Sequence, residues 1–172
     1  MNGVIEHIPL SKKGLRKRII RDAFCLVKPY GFLYINGTPN RIWPYDIHST
    51  QLWWIPWTKP SSQWAYRKAV TKGRHSDAPT HTAGPVGLEE IGAWGGTYWE
   101  ITHYLNGEEY VCLNLLKGHD RRISYAARNG LARRTVEFAL HLFAVKLLKV
   151  PISAVWIYLN NLIFQKIESK RK

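Results

Sequence analysis

Cysteine is nearly missing: two residues, Cys25 and Cys112, occur in a chain of 172. Each stands in apolar sequence with no cysteine near it, which argues against a disulfide framework or a zinc site. The expectation is two buried, reduced thiols in a cytoplasmic protein. Acidic residues are also few, 12 against 25 Lys+Arg, leaving a formal charge of +13. Long apolar runs are absent. The most apolar stretch, 138–164, is interrupted by His141, Lys146, Lys149 and Pro151, whereas a spanning helix needs about 20 mostly apolar residues. No integral membrane span is therefore expected; packing on the core or lying on a membrane surface remains open to this stretch. No signal peptide is expected, because the first basic cluster follows Pro9 with no apolar run behind it. Repeats, low-complexity tracts, Walker loops and Gly-x-Ser-x-Gly elbows are likewise missing. His75, His81, His103, His119 and His141 lack ligand spacing, so no metal is expected.

What is present is a globular composition, 45% hydrophobic and 22% charged, with 8 Trp. The length suits one domain over 1–172. Within it, 1–37 reads as a strand-helix-strand core, 38–87 as an aromatic substrate loop and connector, and 88–172 as C-terminal strands and helices. The positive charge favours polyanions, yet it falls in blocks. One comprises Lys12, Lys13, Arg16, Lys17, Arg18 and Arg21. A second holds Arg121, Arg122, Arg128, Arg133 and Arg134, and a third Lys166, Lys170, Arg171 and Lys172. Solvated helix faces and a soluble tail are preferred over a nucleic-acid groove.

Val4 and Ile5 read as the end of a strand. Leu15, Ile19, Ile20, Ala23, Phe24 and Val27 recur at helical spacing behind Ser11, a plausible N-cap. Lys28-Pro29-Tyr30-Gly31 stops that helix, and Phe32-Leu33-Tyr34-Ile35 suits a buried strand. Residues 63–70 predict a short helix and 88–94 another. Asn106-Gly107 between Tyr98–Leu105 and Tyr110–Leu116 signals a hairpin. A helix is expected over 123–148, with an interruption at Asn129-Gly130, while 152–167 fits either helix or strand. Strand, helix, strand and aromatic loop in that order indicate an open α/β sheet with a ligand at its strand ends.

Three consecutive stretches then carry a resemblance. Asn2-Gly3-Val4-Ile5-Glu6-His7-Ile8-Pro9 looks like an apolar strand followed by Glu-His. Ile19 to Ile35 is similar to a helix, a Leu-Lys-Pro-Gly-Gly turn and a strand, with Tyr30 replacing the first glycine and Gly31 left to supply a positive φ. Thr38-Pro39-Asn40-Arg41, then Pro44-Tyr45-Asp46-Ile47-His48 and Leu52-Trp53-Trp54-Ile55-Pro56-Trp57, completes the pattern. Together, over roughly residues 2–70, they resemble the fourth and fifth strands and acceptor loop of class I S-adenosylmethionine-dependent methyltransferases.

The resemblance implies the C-terminal part of a Rossmann-like methyltransferase sheet, strands four to seven with flanking helices. The family's glycine-rich turn after the first strand, where glycines let the backbone approach the cofactor, has no counterpart in this sequence, and Gly95-Gly96 falls too late. The N-terminal cofactor-binding half is therefore expected to be missing, and a partner chain supplying it is one expectation. S-adenosylmethionine is the implied cofactor and a small or lipid-like molecule the implied acceptor.

Glu6 and His7 are the candidate cofactor-side residues. His7 and His48 are the candidate catalytic ones, able to orient an acceptor or take its proton. Asn36, Thr38, Asn40, Arg41, Tyr45, Asp46, His48, Trp53, Trp54 and Trp57 are the candidate substrate-binding set. For each an ordinary structural role stands beside the functional one: turn formation by 36–41, a loop-internal bond for Asp46 rather than support of the His48 imidazole, and a satellite core for the tryptophans. Two other functions remain, a non-catalytic methyltransferase-like scaffold subunit and, less favoured, a basic nucleic-acid-binding module. A cytoplasmic location, with peripheral membrane contact as an option, accompanies the first reading.

Overall fold

The computed structural model describes residues 1–74, 82–116, 135, 139–159 and 162–168. His75, His81, His119, the second basic block, Lys170, Arg171, Lys172 and most of the helix expected over 123–148, with its Asn129-Gly130 interruption, lie outside the described residues.

The fold is mixed α/β with small antiparallel sheets. Helix α1 (Leu15–Cys25) leads into β1 (Phe32–Ile35), and β2 (Thr38–Pro39) follows. Helices α2 (Gln63–Thr71), α3 (Pro85–Glu90) and α4 (Tyr98–Tyr104) precede β3 (Tyr110–Cys112), β4 (Tyr158–Leu159) and β5 (Leu162–Lys166). One sheet runs β1-β5-β3, antiparallel throughout, with Leu33 opposite Phe164 and Cys112 opposite Phe164 on its other side. A second pairs β2 with β4. The N-terminal segment lies beside β1 in parallel through an Asn2–Asn36 bridge, held by bonds from the Gly3 amide to the Asn36 carbonyl and from the Asn36 amide to the Met1 carbonyl. With α1 between them, segment 1–3 and β1 form a short parallel crossover.

Period-2 alternation places Leu33 and Ile35 in the core and leaves Phe32 and Tyr34 exposed, so β1 is covered on one face rather than on both. Ile5, Ile20, Phe24, Ile101, Leu105, Leu159 and Phe164 complete the main core. A smaller cluster, with Ile55, Ala65, Ala69, Leu88 and Trp94, sits under the aromatic loop.

Several expectations are corrected. Val4 and Ile5 do not end a strand: Ile5–His7 is a single 3-10 turn. Ser11 is not the N-cap of α1, a place taken by Gly14; its amide and hydroxyl bond the buried Glu89 carboxylate instead. The positive φ of the turn before β1 falls on Tyr30 (63°), not on Gly31. Gly31 is needed for closeness, since a Cβ there would meet Val27 Cγ1 at 2.9 Å. The expected hairpin is absent. Tyr98–Tyr104 is a helix because Thr97 and Glu100 form a reciprocal capping box and Tyr98, Ile101 and Leu105 repeat at helical spacing. Only Tyr110–Cys112 of that pair is a strand, and within 152–167 the strand reading holds for Tyr158–Leu159 and Leu162–Lys166.

Charge is also placed differently. Arg16 is buried, and its guanidinium donates to the carbonyls of Ile8, Trp94 and Gly95. Burial, against the pull of Glu100, lowers its pKa. Lys166 caps α1, donating to the Phe24 and Cys25 carbonyls. Cys25 is exposed and only Cys112 is buried. No described helix is long and apolar enough to cross a membrane.

Candidate functional site

The parallel crossover delivers two of the candidate residues to one place. Ile5 is anchored in the core, so the 3-10 turn must point Glu6 and His7 past the end of the N-terminal segment. Glu6 is buried. One carboxylate oxygen accepts from the Thr38 hydroxyl at 3.1 Å, while the other, Oε1, is buried without a hydrogen-bond partner. His7 is exposed, with Nδ1 2.7 Å from the Glu90 carbonyl. A carbonyl only accepts, so Nδ1 carries a proton, and in the neutral ring Nε2 presents its lone pair.

The third member comes from the aromatic loop. Asp46 is buried and gathers the turn 46–50 around itself. It accepts from the amides of His48, Ser49 and Thr50 and from the hydroxyls of Ser49 and Thr50. The loop-internal role is thus the one present, and Asp46 reaches His48 through the backbone amide. The turn sets the His48 ring edge-on to His7, with centroids 5.7 Å apart. One ligand-type atom from each of Glu6, His7 and His48 falls within 4.8 Å of the others.

Gly92 closes the back of this cluster. Its φ is +83°, and a Cβ there would lie 3.0 Å from Glu6 Cγ, 3.1 Å from His48 Cδ2 and 3.2 Å from His7 Cε1. Tyr158 lies nearby: burial first, then the charges of Asp46 and Glu6, raises its pKa. Neither residue was singled out from the sequence. Gly92 had a visible signal, a glycine just past a helix end; Tyr158 had none, being far away along the chain.

The remaining candidates divide. Thr38 belongs to the cluster through Glu6. Asn36 serves the bridge to Asn2, its side-chain amide donating to the Asn2 side-chain oxygen Oδ1 at 3.2 Å. Asn40 is buried and donates to the carbonyls of Ala154 and Trp156, a tie between loop and C-terminal segment. Arg41 pairs with Glu100 at 2.7 Å.

Tyr45, Trp53, Trp54 and Trp57 form a chain of touching rings with centroids 5.2, 6.4 and 5.5 Å apart in turn. The three tryptophans are half exposed, so they are a surface rather than the satellite core, which is filled by Trp94. Beside them Lys68 lies over the Trp64 ring and donates to the Trp53 carbonyl. Trp64, Arg67, Lys68, Thr71 and Lys72 line a groove of about 390 Å³.

Chemically, the cluster offers two imidazoles and a buried carboxylate oxygen converging on one point. That arrangement can accept a proton from, hydrogen-bond or coordinate a ligand that reaches it. Comparison with protein-family models, with curated proteins and with solved structures gives no match to this chain.

Proposed function

We propose that the chain is the acceptor-side part of a class I S-adenosylmethionine-dependent methyltransferase domain, acting on a small or lipid-like acceptor held beside Glu6, His7 and His48. The observation that carries this reading is the crossover from segment 1–3 through α1 to β1, parallel through the Asn2–Asn36 bridge. Open α/β sheets built from such units bind ligands beyond the carboxyl ends of their strands. Glu6 and His7 follow the first of these segments, and the loop bearing His48 follows β1. β5 is the one reversed strand, set between β1 and β3, and β3 therefore runs in the direction of β1; mixed sheets of this kind are common in α/β folds.

The cofactor would supply the methyl group. Among the described residues, the glycines do not form a nucleoside cradle. Gly95 is packed against the Pro39 carbonyl and Gly92 against Glu6, His7 and His48, so at both glycines protein already fills the space beside the backbone. The chain's own residues would position the acceptor: the Glu6 carboxylate takes a hydrogen bond from an acceptor hydroxyl or amine, and His7 Nε2 takes its proton. The exposed tryptophans flank an apolar tail. Methyl transfer draws mainly on such in-line positioning.

The test is transfer of labelled methyl by the in-frame product that includes the coding sequence upstream of Met1, against hydroxyl, amine and carboxyl acceptors with and without apolar tails. The reading expects a Gly-x-Gly-x-Gly turn in that upstream sequence and labelled product, reduced about a hundredfold by His7→Ala. An upstream sequence without such a turn, together with no labelled product, overturns it.

A further inference from the structure

We propose that Glu6, His7 and His48 form a binding site for a divalent first-row transition metal ion of the Zn²⁺ type. Three features point there independently. The first is the donor set: two imidazoles and one carboxylate suit Zn²⁺, Co²⁺ or Fe²⁺ and leave coordination positions open.

The second is the orphaned oxygen. Glu6 is only 2% exposed, and its Oε1 has no hydrogen-bond partner. A buried carboxylate oxygen left bare carries an uncompensated desolvation cost, and buried charges in folded chains are paired or coordinate metals. Among the described residues no cation is paired with Glu6: Arg21 and Arg41 form their ion pairs with Glu108 and Glu100, and Arg16 is spent on backbone carbonyls.

The third is the support around the ligands. His7 donates from Nδ1 to the Glu90 carbonyl, which fixes the tautomer that leaves Nε2 free, and Glu6 Oε2 is held by Thr38. Metal-bound histidines and carboxylates are oriented by bonds of this kind. Asp46 fixes the turn that carries His48 through three amides.

A tetrahedral ion about 2.1 Å from each donor holds its donors about 3.4 Å apart, and these atoms lie within 4.8 Å of one another. His7 and His48 are both exposed, so a small ring rotation closes the difference. Gly92 leaves the three side chains room to converge, because any larger residue would press on all of them. The ion's open positions would face solvent on the histidine side, where a water or an acceptor oxygen would bind with lowered pKa.

The test is calorimetric titration of the chelator-treated 172-residue chain with Zn²⁺ and, in parallel, Co²⁺ with its visible absorption as a reporter of coordination. One ion per chain is expected, with affinity reduced at least about tenfold in both Glu6→Gln and His48→Ala and unchanged in His103→Ala, which alters an exposed histidine on α4. Glu6→Gln keeps the volume and His48 is exposed, and far-UV circular dichroism verifies that each variant folds. No binding by the chain, or binding equally tight in Glu6→Gln and His48→Ala, overturns the site. With the ion bound, His7 Nε2 is a ligand and no longer takes the acceptor's proton, so the ion replaces that role; the readout is independent of methyl transfer, and failure to bind leaves the methyl-transfer reading standing.

Discussion

Gly95 has no space for a side chain. A Cβ built there would sit 1.9 Å from the Pro39 carbonyl oxygen and 2.7 Å from its carbon. The closeness is structural: the Gly96 amide donates to that same carbonyl, Arg41 donates back to Gly96, and Arg16 donates to the Gly95 carbonyl. A single glycine thus lets three chain segments meet, next to the Thr38 that holds Glu6. Gly95→Ala forces backbone apart rather than a flexible side chain, so it should destabilise by about 3 kcal/mol or more. Urea unfolding of the variant at neutral pH measures this, and a loss under about 1 kcal/mol would show that the segments separate freely. In the sequence, Gly95-Gly96 can be judged only by its distance from a cofactor motif. What it serves becomes visible when residue 39, more than fifty positions earlier, is its neighbour.

Helix α4 shows, at the level of the element, why one local signal defeated another. Asn106-Gly107 predicts a hairpin, and Gly107 does take a positive φ of 91°. It does so after a helix, because Thr97 accepts from the Glu100 amide and Glu100 accepts from the Thr97 amide. Glu100 then reaches Arg41 as well, tying the helix start to the loop after β2. The motif Thr-x-x-Glu stands in the sequence shortly before the turn dipeptide, and it is the signal that the fold follows. By contrast, α1, α2 and β1 were legible because their periodicity ran uninterrupted between clear breakers, and Glu6, His7 and His48 were legible from their resemblance to a motif. Their convergence was not, since it depends on Asp46 folding its own loop and on Gly92 arriving from α3. Thr97→Ala should remove the cap and cost about 1 kcal/mol. Hydrogen exchange should show the effect as faster exchange confined to the amides of α4; unchanged protection there would mean that packing of Tyr98 and Ile101 alone holds the helix.

Across the whole molecule the burial of tyrosine sets how stability responds to alkali. Tyr98, Tyr104, Tyr110 and Tyr158 all have raised pKa values, with burial the leading cause in each. Tyr98 is moved furthest, packed on Phe164 in the main core and beside Cys112. An unfolded tyrosine ionises near pH 10, whereas these stay protonated to higher pH in the folded chain. The unfolded state therefore binds fewer protons above pH 10, and the linkage makes stability fall as pH rises. The contribution is complete below about pH 10 and is lost through the folded-state pKa values. An opposing effect acts at the same scale. The chain carries a formal +13, and deprotonating lysines relieves that self-repulsion as pH rises. Comparing wild type with Tyr98→Phe separates the two, because the lysines are common to both. Urea midpoints at pH 8, 9, 10 and 11 should fall above pH 10 in the wild type and fall less steeply in Tyr98→Phe. Parallel curves for the two proteins would mean that the Tyr98 phenol reaches water in the folded state and that the core around Phe164 is looser than its packing implies.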